Sequence, residues 1–150
     1  MILKFEAAPA HLSAEYIRLR GITRENAVSE QRLSSLGITA ESWAEDVRSS
    51  RLCGFVACSN EMLAGYCFGN TTTGEVVVLA LKPEFEGQGV GKRLLALVVE
   101  QLRQLGHTKP FLGCSSDPTV RSYGFYRHLG WRSTGAADEH GDEILELSVP

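Results

Sequence analysis

The sequence predicts an α+β fold, with a mixed and mostly antiparallel central sheet of about seven strands flanked by helices. Three observations predict it. Two segments, "RLCGFVACS" and "MLAGYCFGN", read as strands joined by a tight turn at Asn60 and Glu61, the signature of a hairpin. Next, "GEVVVLALKP" is apolar almost throughout, as a strand buried on both faces would be, and a glycine turn leads from it into a long segment with helical periodicity. Finally, the C-terminal third reads strand, helix, strand, strand.

Taken in order, "MILKFEAAP" alternates apolar and polar residues as a first strand. Pro9 opens a helix through "AHLSAEYIRLRG", and Gly21 stops it. A second helical segment, "TRENAVSEQRLSSLG", takes Thr23 as its N-cap and ends at Gly37. In "TAESWAEDVRSS", Thr39 stands three residues ahead of Ser42, and Glu41 and Glu45 populate the first turns of a short third helix or of a continuation of the second. Trp43, at helical spacing from Val47, reads as core. After the hairpin and the apolar strand, "VGKRLLALVVEQLRQLG" places apolar residues at 94, 98, 102 and 105, with Gly106 as terminator. "KPFLGCS" is a strand, and the intervening helix is the crossover that joins it to the apolar strand. Asp117 and Pro118 read as N-cap and first-turn proline of the helix "TVRSYGFYRHLG". "WRSTG" and "DEILELSV" close the sheet around the polar loop "AADEHG".

The chain has 150 residues, 43% of them hydrophobic, and no repeat, linker or low-complexity segment, so one domain over residues 1–150 is expected. A net charge of -3 speaks against nucleic acid as a partner. No basic N-terminus precedes an apolar run, and the apolar runs are too short to span a bilayer, which predicts a soluble, cytoplasmic protein. Cys53, Cys58, Cys67 and Cys114 show no CxxC spacing and lie mostly in apolar strand-like segments, so they read as buried, reduced thiols. His11, His107, His128 and His140 have no ligand-like spacing either, and no metal is expected.

The stretch "PEFEGQGVGKRLL" places Gly87, Gly89 and Gly91 at the start of a helix, where unpaired N–H groups and the helix dipole favour an anion. Two common phosphate loops fail on counting. A GxxxxGK-[ST] loop ending at Gly91 and Lys92 would need glycine at Glu86 and a hydroxyl at Arg93. The GxGxxG fingerprint has the wrong spacing here, and helices precede the strand. The stretch "LALKPEFEGQGVGKRLL" instead resembles the acyl-CoA-binding signature of the GNAT family of N-acetyltransferases. "YRHLGW" is similar to that family's closing signature, with Tyr126, Gly130 and Trp131 at the matching positions. Roughly residues 52–135 follow the family's order of elements.

That resemblance implies acetyl-CoA as cosubstrate. The backbone around Gly87, Gln88, Gly89, Val90, Gly91 and Lys92 would grip its pyrophosphate, and the backbone of Leu79, Ala80 and Leu81 would pair with the pantetheine arm on a splayed strand. It also implies roles in catalysis. Tyr126 is the candidate acid for the departing thiolate, since a phenol with pKa near ~10 is protonated at neutral pH. Glu75 matches the general-base glutamate of the histone acetyltransferase branch and would act through water, and the Leu79 amide matches the family's oxyanion contact. Tyr123 and Phe125 read as core. Glu86 departs from the family, which usually has Arg or Gln there. A carboxylate beside a pyrophosphate is unfavourable unless it points away, and Lys92, Arg93 and Arg121 are the cations near in sequence or helix position to offset it. The Asn often found early in the last helix is absent, with Asp117 and Thr119 nearby instead.

Acceptor specificity is expected in residues 24–48 and 136–141. The expected activity is acetyl transfer to a primary amine of a small molecule or peptide, by direct attack on the thioester. A non-catalytic acyl-CoA-binding or sensor module is the alternative, and transfer of a longer acyl chain a third reading. The resemblance also admits a homodimer through exposed strand edges.

Overall fold

The computed structural model describes residues 2–149, so Met1 of the predicted first strand and Pro150 at the end of the predicted domain lie outside the described residues. Its strands are β1 (Lys4–Ala7), β2 (Leu52–Ser59), β3 (Met62–Asn70), β4 (Val76–Leu81), β5 (Phe111–Cys114), β6 (Arg132–Ala137) and β7 (Glu143–Glu146). Its helices are α1 (Ser13–Arg20), α2 (Glu30–Ser35), α3 (Ala40–Arg48), α4 (Val90–Gln104) and α5 (Arg121–His128). Single 3-10 turns cover Ala10–Leu12 and Pro83–Phe85.

The seven strands divide into two sheets, in the orders β1-β2-β3-β4 and β5-β7-β6, with every pairing inside each sheet antiparallel. Between the sheets, β4 and β5 run parallel but meet at one bridge only, Glu75 to Phe111. Beyond it they part. The crossover helix α4 joins them as expected, because parallel neighbours need a long connection.

This parting corrects the reading of the apolar strand. The strand buried on both faces is β3, whose Cys67 packs under α4 while Tyr66 and Phe68 point to the opposite side. β4 is apolar yet open along one edge, and Val77 is 41% exposed. A bulge in the β3–β4 register sets Val76 opposite Gly69 and Val78 opposite Phe68, leaving Val77 as the extra residue. Apolar content alone cannot distinguish a strand covered by protein from one whose open side faces a cleft.

Two hydrophobic clusters cover the first sheet. On one face α4 contributes Val90, Leu94, Val98 and Leu102, which meet Trp131, Leu112 and Leu145 of the second half. On the other face Tyr16, Trp43, Tyr66 and Phe68 form an aromatic cluster with centroids 5.1–5.6 Å apart. Trp43 is thus core, as its spacing predicts. Leu105 is not, being 50% exposed, because it caps the helix just before Gly106 turns the chain at φ 100°.

The caps explain where helices start. Thr39 and Ser42 form the reciprocal capping box of α3, at 3.0 and 2.9 Å. The second helix begins six residues later than a Thr23 cap implies. Ser29 caps it by accepting from the Arg32 N–H, Asn26 takes a left-handed φ of 57°, and the Thr23 hydroxyl donates to the Glu25 carbonyl. Asp117 likewise does not cap the last helix. Its carboxylate closes a local turn on the N–H and hydroxyl of Thr119, at 2.9 and 2.8 Å, and α5 begins at Arg121.

Candidate active site

Where β4 and β5 part, a cleft of about 840 Å³ opens between the two sheets. Its walls are β4, the turn before α4, the inner face of α5 and the 23–28 loop, with Asp138 and Asp142 at one end.

The turn supplies one end. Gly87 and Gly89 have φ of 76° and 79°, and nothing lies within 4 Å of where either Cβ would stand. Conformation, not crowding, demands glycine at these two positions. Gly91 has an ordinary helical φ, and an added Cβ would meet Leu81 at a normal contact distance of 3.4 Å. Gly89→Ala should therefore cost about 1–2 kcal/mol in stability. Gly91→Ala should cost far less, as denaturant unfolding of the two variants would show. Gly87, Gly89, Val90, Gly91 and Lys92 line the cleft. Gln88 does not, and its amide donates back to the Glu84 carbonyl at 3.2 Å.

Leu79, Ala80 and Leu81 also line the cleft, on the edge of β4 that carries no strand partner. At the closed end stands Glu75. Its carbonyl accepts from the Asn70 N–H at 2.7 Å, and the preceding turn is held by Asn70, whose side chain accepts from the Thr72 and Thr73 N–H groups. Burial pushes the Glu75 carboxyl above the usual carboxylate range, and the nearby Asp138 charge pushes it further.

Tyr126 reaches the same cleft from α5. The "YRHLGW" signature has a local physical basis: Gly130 at φ 97° donates to the Arg127 carbonyl, and the Trp131 N–H donates to the Tyr126 carbonyl, both at 3.1 Å. This is a left-handed glycine C-cap, completed by the packing of Trp131 on Tyr126 at 6.0 Å between centroids. Trp131 is 2% exposed, so the cap anchors the end of α5 in the core and sets the height of Tyr126. Burial raises the phenol's pKa, with the Cys67 and Cys114 thiols adding to the effect, so the hydroxyl stays protonated well above neutral pH. Phe125 lines the cleft while packing on the core. Tyr123 departs from the core reading, because the Arg127 guanidinium stacks on its ring at 3.6 Å and ion-pairs with Glu143.

Glu86 is only 13% exposed, and its carboxylate binds Arg121 at 2.7 Å and Arg24 at 3.5 Å. Of the cations expected to offset it, Arg121 does so directly. Arg93 does not, since its guanidinium lies over the Phe5 ring at 4.2 Å. Arg24 comes from a part of the chain about sixty residues away, which no local spacing could reveal. Ser122, one helical turn before Tyr126, also lines the cleft, and its buried hydroxyl has no partner among the described residues. Of the segments expected to set acceptor specificity, residues 24–28 and Asp138 reach the cleft, whereas α2 and α3 do not. Cys67 and Cys114 are buried, and Cys53 and Cys58 are half-buried, all four as free thiols. Among the described residues no helix is long and apolar enough to cross a membrane.

A sheet parted beside a glycine-led helix, with a phenol and a carboxylate in the gap, defines a GNAT-type α+β fold. The sequence profile of the Acetyltransferase (GNAT) family matches residues 15–131, and the chain belongs to that family. Among solved structures, the chain resembles the PaiA N-acetyltransferase of Thermoplasma acidophilum in complex with coenzyme A. That match has a TM-score of 0.82 and 20% identity, over 99% of this chain and 100% of the other. It also resembles YncA of Salmonella typhimurium, solved with acetyl-CoA. There the TM-score is 0.76 and the identity 15%, over 100% and 95% of the two chains. A curated relative, the uncharacterized N-acetyltransferase ycf52 of Gracilaria tenuistipitata, is 33% identical over 94 residues, 63% of this chain and 45% of its own. The ycf52-like protein of Prochlorococcus marinus is 30% identical over 112 residues, 75% of this chain and 53% of its own. The chain thus spans about half the length of the curated relatives it matches.

Proposed function

We propose that the protein, as one domain over residues 1–150, transfers the acetyl group of acetyl-CoA to a primary amine by direct attack on the thioester. The parting of β4 from β5 carries this reading, because it joins a backbone anion cradle to a half-buried acid–base pair within one cleft. The fit to coenzyme A rests on residues present. The N–H groups following Gly87 and Gly89 at the start of α4 suit a pyrophosphate. The unpartnered edge of Leu79, Ala80 and Leu81 suits the amides of a pantetheine arm, and the Ser122 hydroxyl is a donor without a protein partner.

In this reading Glu75, through water, removes the proton from the acceptor ammonium. The free amine attacks the carbonyl carbon, and the Leu79 N–H steadies the charge that develops on the oxygen. Tyr126 then gives its proton to the sulfur as the C–S bond breaks, and the proton shed by the new amide nitrogen restores the phenol. Glu75, Asp138 and Asp142 make the acceptor end acidic, which suits an acceptor carrying positive charge.

Calorimetry with acetyl-CoA, followed by a thiol-release assay over a panel of amines, tests the proposal. Binding together with amine-dependent thiol release is the expected result. No binding at millimolar acetyl-CoA would sink the proposal, and binding without release to any amine would leave an acyl-CoA sensor.

A further inference from the structure

Glu86 is an anion placed where the proposed reading brings in phosphates, and the protein answers it with cations from two distant elements. Arg24 comes from the loop between α1 and α2, Arg121 from the first residue of α5, and Glu86 from the turn before α4. All three line the cleft, as does Lys92. The same loop is tied a second time, because the Glu25 carboxylate accepts from the Arg121 N–H at 3.0 and 3.2 Å. Residues 23–28 therefore cross from α1 to α5 as a strap, and the strap is one wall of the cleft.

The chemistry of the contact sets its behaviour. A guanidinium carries five N–H donors in a planar fork. Glu86 engages Arg121 through one hydrogen bond and Arg24 by charge alone at 3.5 Å, and the two side chains are 51% and 64% exposed. Most of their donors remain free. Phosphate is the stronger competitor for such a fork, having more charge and more acceptor oxygens than a carboxylate.

We propose that Glu86 is a positioning residue that exchanges its arginines with the cofactor's phosphates. Without cofactor it clasps the strap to α5 and the turn. When phosphates arrive, Arg24 and Arg121 turn to them, and the strap is held by the cofactor instead. This role rests on the coenzyme A reading above.

The test is calorimetry of coenzyme A and of phosphate-free pantetheine against the unaltered protein, Glu86→Gln, Arg24→Gln and the double variant, with amide hydrogen exchange over residues 23–28. Glu86→Gln should bind coenzyme A about five-fold more tightly, the factor one unit charge produces at ~4 Å in water-like surroundings. Pantetheine affinity should not change. The gain should shrink in the Arg24→Gln background, and the strap should exchange faster in Glu86→Gln until coenzyme A restores its protection. Equal gains in both backgrounds would mean simple repulsion and overturn the exchange of partners, as would a strap whose protection ignores Glu86. If the unaltered protein binds neither ligand, the coenzyme A reading itself fails, a result distinct from additive gains. Thermal melts of each variant separate these outcomes from misfolding, and Arg121→Lys, which keeps the charge but loses the fork, should reproduce part of the Arg24→Gln effect.

Discussion

Tyr126→Phe should lower turnover by about 10²–10⁴-fold, the range for losing a positioned acid, while coenzyme A affinity stays nearly constant. The reasons are positional and electrostatic. The Gly130 cap and the buried Trp131 hold Tyr126 at the cleft, and burial keeps its hydroxyl protonated across the physiological range. The departing thiolate is the acceptor for that proton, which the hydroxyl still carries when the C–S bond breaks. Phe retains the ring that packs against Trp131 and Phe125, so the melting temperature should hardly move. Steady-state kinetics with saturating acetyl-CoA, paired with calorimetry, separates the two effects. Unchanged turnover would remove Tyr126 from the chemistry and leave it a packing residue.

Glu75→Gln should produce a comparable loss of turnover and, in the opposite direction, a gain in stability. Burial and Asp138 raise the folded-state pKa of Glu75 above its unfolded value, so between those values the folded protein binds more protons than the unfolded chain. Stability attributable to this group therefore falls as pH rises through that window, and at neutral pH the ionised carboxylate is a cost. A neutral amide removes the cost. Activity runs the other way, because the base must be ionised. The acidic limb of the kcat/KM profile should lie above the ordinary carboxylate range and vanish in the glutamine variant. Asp138→Asn removes one cause of the shift, so it should move that limb to lower pH while retaining turnover. A limb that stays in place in Asp138→Asn, or turnover that survives Glu75→Gln, would exclude Glu75 as the base.

Glu75 and Glu86 also mark how far the sequence could be read. Both stand out as carboxylates beside apolar or glycine-rich segments, yet what each does depends on partners remote in the chain. Asp138 lies 63 residues from Glu75, and Arg24 lies 62 from Glu86, so no local pattern links them. The misplaced helix starts have a different cause. Thr23 and Asp117 are good caps by residue type, but short polar side chains bond equally well to nearby turns, and the structure uses both that way. Ser122 gave no signal because a serine on a helix is ordinary until its hydroxyl is seen buried beside a cleft without a partner.

Local physics carried the rest. Seven strands, their helices and the hairpin at Asn60 follow from hydrophobic period and turn chemistry, which act over a few residues. The glycine turn and "YRHLGW" are legible for the same reason, since a left-handed φ at Gly87, Gly89 and Gly130 is a local demand that only glycine meets without strain. The parting of β4 from β5 is another matter. It depends on a bulge at Val77, on α4 packing against the first sheet and on Trp131 anchoring α5 among residues of both halves. These are long-range contacts of a whole core, and they decide whether an apolar strand is covered or left open. Only the tertiary structure could turn "EVVVLAL" from a buried strand into one wall of a cleft.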